Sequence, residues 1–225
     1  MSTSLLASVR QLDLPPIGAQ FEGGYLNGLF IHNGQLRAQV SASKRDGGHH
    51  APTVWHNKSD RIDGALDFVD GAASTKAMAT AGSRLAQWAL DLRIGGHDDW
   101  HLPALLQLER IYRMAKPTTD GNLYSYLDGQ NFSSWPPSGP YTRDFPAQTL
   151  LIDFQPGGAE AFEPIGMWSA TQHAGFPGNA WVQNFDDGGQ YWGRKDYEFG
   201  AVAVRSVVIC PLDYSVLRAE TESAE

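Results

Sequence analysis

Apolar positions along the chain alternate between two periods. From Ser74 to Arg93, Met78, Ala81, Leu85, Trp88 and Leu92 recur every three or four residues, which predicts one helix with a buried stripe. Ser74 or Thr75 suits its start and Gly95-Gly96 follows its end. A second helix is predicted from Pro103, a residue suited to the first helical position, to Met114. Leu105, Leu108 and Tyr112 supply its inner face, and Pro117 closes it. Before the helices, Phe21 to Ser41 reads as β, with Asn33-Gly34 between two apolar runs as a hairpin turn. After them come Met167-Trp168-Ser169, Ala180 to Asp186, the turn Asp187-Gly188-Gly189, the return Gln190 to Arg194 and the apolar run Ala201 to Ile209. That last run predicts a central strand buried on both faces. Helices segregated from strands predict an α+β fold, with two helices packed on an antiparallel sheet and long loops.

The pattern also divides the chain. Residues 1–16 read as an N-terminal docking arm, because Leu5, Leu6, Val9 and Leu12 share one helical face before Pro15-Pro16. These four residues are the expected subunit-docking contacts, and a homo-oligomer is expected. Residues 17–215 read as a single domain containing the N-terminal hairpin. Residues 117–166 form a loop insertion, aromatic enough (Phe132, Trp135, Tyr141, Phe145) to be folded and self-packed. Residues 216–225 read as a flexible acidic tail.

Composition narrows the function. At 225 residues and 24.6 kDa the chain builds a core without metal or disulfide, and its one cysteine, Cys210, excludes an internal disulfide framework. The net charge of −8 and the lack of a basic stripe argue against nucleic acid. No apolar run reaches membrane-spanning length, so no membrane insertion is expected. No secretory leader is legible at the start, and the expected place of synthesis is a reducing cytoplasm.

Two groups of residues carry a resemblance. The first is Asp98-Asp99-Trp100-His101-Leu102-Pro103 with the helix behind it. The second is Trp168-Ser169-Ala170-Thr171, then Ala180-Trp181, Phe185, Gly188 and Val204-Arg205-Ser206-Val207. Together they resemble the Lcl C-terminal-type domain of unknown function, and the early hairpin with Gly157-Gly158-Ala159-Glu160-Ala161-Phe162-Glu163 resembles the subgroup found in tailed-phage and prophage tail proteins. The resemblance covers roughly residues 60–209 and implies a C-type-lectin-like fold. His101 and Gln107 stand where that family has Arg and Glu, so a neutral hydrogen bond is expected in place of an ion pair.

Little in the sequence points to catalysis, and the expectation is no enzyme, no cofactor and no metal. There is no Gly-x-Ser-x-Gly elbow. Lectins of this fold bind calcium through Glu-Pro-Asn and Trp-Asn-Asp; here Glu163-Pro164 is followed by Ile165, and Trp181 by Val182. His49-His50 reads as a solvated loop. Asp98-Asp99 and Asp186-Asp187 are carboxylate pairs by type only, leaving a carbohydrate-acting enzyme as the weaker alternative. What the resemblance and the Tyr, Trp, Asn, Ser and Gly of the loops imply is a virion tail protein, fibre or tail-tip, assembled in the host cytoplasm. It would recognise a glycan or protein receptor on the bacterial surface. The alternative is a structural tail or baseplate component that binds only other phage tail proteins. The expected contact residues are Gln172, His173, Phe176, Asn179, Tyr191, Trp192, Arg194, Asp196 and Tyr197, with Trp135 in the insertion. Trp88, Trp100, Trp168 and Trp181 are expected in the core.

Overall fold

The computed structural model describes residues 14–123 and 129–211; the arm residues Leu5, Leu6, Val9 and Leu12 and the acidic tail lie outside them. The fold is α+β, with three helices and two five-stranded sheets among the described residues. The first sheet joins β1 (Gln20–Phe21), β2 (Gly24–His32), β3 (Gln35–Ala42) and β10 (Val204–Pro211), with β5 (Ser134–Trp135) added beside β2. The second runs in the order β4 (His49–Val54), β9 (Glu198–Val202), β6 (Gly166–Gln172), β7 (Asn179–Asn184) and β8 (Gln190–Arg194). Pairing is antiparallel except between β6 and β9, where Met167 meets Gly200 in parallel. The β2–β3 hairpin turns at Asn33 and Gly34, both with positive φ (49° and 69°), as a turn matched to the strand twist requires.

The sequence expectation of one helix over 74–93 is corrected to two. α1 (Gly71–Thr80) starts three residues earlier, because the Asp70 carboxylate caps it by accepting from Ala72 N. It stops at Ala81 in a Schellman motif: Gly82 has φ 96°, Gly82 N donates to Ala79 O and Ser83 N to Met78 O. Ser83 then caps α2 (Arg84–Asp91) through Ala86 N. The break leaves Trp88 only half-buried, against its expected place in the core, whereas Trp100, Trp168 and Trp181 are buried as expected. α3 (Leu105–Ala115) follows the predicted second helix, and Gln107 Oε1 accepts from Ala104 N and Gly71 N, fastening both helix starts.

The apolar run 201–209 is not one strand buried on both faces. It divides at Ala203, which bonds to Ala42 N and Gly48 O, and passes from β9 in the second sheet to β10 in the first. β10 is the last strand of its sheet, and its Val208 is exposed. His49 and His50 belong to β4 rather than to a solvated loop; His49 lies on Phe162 and His50 against Trp88.

The core lies between the helices and the second sheet and continues under α3. Trp55, Met78, Leu85, Trp168 and Val182 form one cluster; Tyr112, Phe162, Met167 and Phe185 form its neighbour. The 117–166 insertion is not self-packed. Tyr141, Phe154 and Phe162 enter this shared core, while Phe132 and Phe145 face water. His101 does not bond Gln107. It pairs with the Asp70 carboxylate at 3.3 Å, and Gln107 Nε2 donates to Ser206 Oγ. Burial opposes the charge on Asp70, but His101, Ala72 N and Ser206 outweigh it and hold the acid well below the usual carboxylate range.

Candidate recognition surface

The β7–β8 hairpin sorts its residues by alternation. Asn179 pairs with Arg194, Trp181 with Trp192 and Gln183 with Gln190. The intervening Ala180 and Val182 enter the core, so these three cross-strand pairs share the opposite face. Trp181 is buried there, but β8 is the edge strand, and Trp192 stays 46% exposed. Residues 173–178 fold back over the two indoles. His173 Nδ1 accepts from Gly175 N at 3.1 Å and Phe176 N at 2.9 Å, which fixes its ring plane. Two donors on one nitrogen leave no room for a proton on it, and burial holds the pKa below the ordinary histidine value.

The result is an aromatic patch with a histidine at its centre. The His173 ring lies 4.8 Å from Trp192, 4.9 Å from Phe176 and 5.3 Å from Trp181, while Trp181 meets Trp192 edge-on at 5.3 Å. Phe68 supports Trp181 from behind at 5.7 Å. Phe176 is 56% exposed. Phe176 and Trp192 lie side by side, 6.3 Å apart, as an exposed apolar patch, the kind of surface that marks an interaction site.

Polar groups border the patch. Arg194 makes a two-pronged ion pair with Asp196 (3.0 and 2.6 Å), and its guanidinium lies 5.6 Å from the centre of the Tyr197 ring. The hydrogen bond and charge of Asp196 raise the Arg194 pKa, and Arg194 in turn lowers that of Asp196. Next to them a cleft of about 220 Å³ is lined by His56, Lys58, Asn179, Arg194 and Asp196, among others. Its inner end is closed by Lys195, a buried ammonium that donates to Gln172 Oε1 (2.7 Å) and Asp60 O (2.8 Å) above the Trp55 ring. Desolvation brings the Lys195 pKa down to about 8 against the opposing charge of Asp60.

The structure therefore gathers His173, Phe176 and Trp192 in the patch and Asn179, Arg194, Asp196 and Tyr197 at its border. Three expected contact residues fall elsewhere. Gln172 is fully enclosed, accepting from Ile62 N and Lys195 Nζ, so it braces the site from inside. Tyr191 points to the other face of the hairpin, against Phe199. Trp135 lies on the first sheet beside Leu29. The sequence reading missed the contributions of His56, Lys58 and Phe68, which the fold brings in from more than a hundred residues away and which no local pattern marks. Trp181 was legible only as core; it is also the floor of the patch.

Among the described residues, His101, Asp70 and Ser206 carry the residue types of a catalytic relay. Their geometry differs from a relay, because Asp70 (3.3 Å) and Ser206 (3.5 Å) both face Nε2 of His101, while Nδ1 faces Asp99 O. No group of three or more His, Cys, Asp or Glu side chains among the described residues is arranged to hold a metal ion. A scan against models of protein families finds no match for the chain, and a search of curated proteins finds no similar sequence.

Proposed function

We propose that this chain is a C-type-lectin-like recognition domain of a phage or prophage tail, fibre or tail-tip, which binds the host cell surface through the outer face of the β7–β8 hairpin. One observation carries the reading: Trp192 and Phe176 are held in water by a neutral His173 and a buried Trp181, beside a cleft bordered by Arg194 and Asp196. Rigid aromatic rings ringed by directional hydrogen-bonding groups are the chemistry of a recognition hot spot. The tail assignment and the lectin-like fold rest on the sequence resemblance, which the segregated helices and antiparallel hairpins support.

A structural role in the tail is the second reading, favoured by a second pair of exposed aliphatic residues, Leu150 and Ile152. Competition separates the two. Excess isolated protein should block adsorption of the intact phage to its host if the patch recognises the cell. A protein that leaves adsorption untouched but copurifies with tail proteins contradicts the first reading and supports the second.

A further inference from the structure

We propose that the cleft beside the β7–β8 hairpin is a carboxylate site, in which a monoanionic carboxylate supplies the counter-charge of Lys195. The inference goes beyond the recognition surface and stands whether or not that surface binds a cell. The cleft, about 220 Å³, is lined by Lys195 on its inner side and by Lys58, Asn179 and Arg194 among others. At roughly 30 Å³ for one water, that space holds a small organic acid.

Lys195 is the residue that calls for an anion. It is 1% exposed, and a buried charge is ordinarily paired. Its ammonium has three donors and only two meet an oxygen, Gln172 Oε1 at 2.7 Å and Asp60 O at 2.8 Å, both neutral. The Trp55 ring, 4.6 Å away, is neutral too. Among the described residues no carboxylate forms an ion pair with Lys195; Asp60 acts on it through its charge alone and does not make up for desolvation. The contrast is Lys116, the other buried lysine among the described residues. It too donates to neutral oxygens, of Asp120, Asn122 and Pro146, but it lies in the field of Asp120, Asp144, Asp186 and Asp187. Lys116 has its counter-charges built in, whereas Lys195 faces a cleft.

The rest of the cleft sets the charge of the occupant. His56 adds none: Nε2 faces Ala81 O at 3.0 Å and Nδ1 accepts from Lys58 N at 2.8 Å, so the ring holds a single proton. Arg194 and Asp196 cancel in their two-pronged pair. Asp60 offsets one of the two ammonium groups, Lys58 and Lys195, and one positive charge is left over. A carboxylate matches that charge. A phosphate group, at about −1.5 to −2, exceeds it in a chain whose net charge is already −8. Asn57 and Ser59 line the same cleft and offer neutral donors.

NMR titration of the full chain at low ionic strength tests this. Acetate is the probe, acetylglycine and glucuronate carry the same group on a peptide end and on a sugar, and inorganic phosphate is the comparison. Each carboxylate should bind saturably. Saturation should raise the Lys195 pKa from about 8 to about 9 or above, the rise that corresponds to tenfold tighter binding to the charged lysine. Whichever of acetylglycine and glucuronate binds tighter names the source of the group. Lys58→Ser, a change at an exposed residue, should weaken acetate about twofold or more. Lys195→Met should abolish saturable binding with the fold confirmed by thermal melting; if that variant does not fold, the Lys195 titration in the parent decides. A Lys195 pKa unmoved by acetate overturns the proposal. Phosphate binding tighter than every carboxylate, or acetate binding that survives in folded Lys195→Met, overturns it as well.

Discussion

His49 shows how position outweighs residue type. In the sequence it is half of an adjacent histidine pair; in β4 it lies on Phe162 with Lys44 nearby. Burial, with the Lys44 charge adding to it, lowers its pKa from 6.5 to about 3. Between those values the unfolded chain holds a proton that the folded chain does not. Stability from this site is therefore present above about pH 6.5 and is lost as pH falls toward 3. Melting temperatures over that window should drop less steeply for His49→Gln than for the parent; parallel curves would contradict the assignment. Gln172 carries the same lesson. Its polar type placed it on the surface, but its carbonyl is shared by Lys195 Nζ and Ile62 N inside the protein. Gln172→Leu deprives both donors of that acceptor and should cost about 1–3 kcal/mol in denaturant unfolding. An unchanged midpoint would mean that the brace carries no weight.

Elements with a short-range signal were legible. Asn33-Gly34 marked the first hairpin, Asp187-Gly188-Gly189 the β7–β8 turn, and the Leu105–Tyr112 stripe marked α3. The division of the first helical stretch was not, because Met78, Ala81, Leu85, Trp88 and Leu92 keep their spacing across it. The stopping signal lay between them in Gly82-Ser83, which serve as terminator and cap in turn. Gly82 has φ 96° and open space around its Cα, so a methyl group there meets no neighbour and the conformation alone sets the cost. Gly82→Ala should lower stability by about 1–2 kcal/mol. Ser83→Ala should cost about 1 kcal/mol for the lost cap, and more because Ser83 Oγ also donates to Trp55 O. If Gly82→Ala were neutral or stabilising, a continuous helix would be the better description. The run 201–209 was misread for a related reason: apolar character persists through Ala203 while the chain changes sheets.

At the scale of the molecule, two sheets and three helices converge so that the edge hairpin is anchored from within and exposes Trp192 and Arg194 on its outer face. Local sequence revealed the hairpin and its aromatic residues. It did not reveal that residues 56–62 and 68 come to lie beside residues 172–196, a juxtaposition made by Lys195, Gln172 and Trp55 across long separations. That convergence turns two exposed rings into a fixed surface, and the account stands or falls on whether the surface binds. The direct measurement is equilibrium binding of the labelled protein to intact cells of the bacterial host, compared with Phe176→Ala/Trp192→Ala. Saturable binding is expected for the parent, weakened in the double variant by about 2 kcal/mol or more, as for truncation of hot-spot residues, with an unchanged melting temperature. A double variant that binds host cells as tightly as the parent would contradict the account.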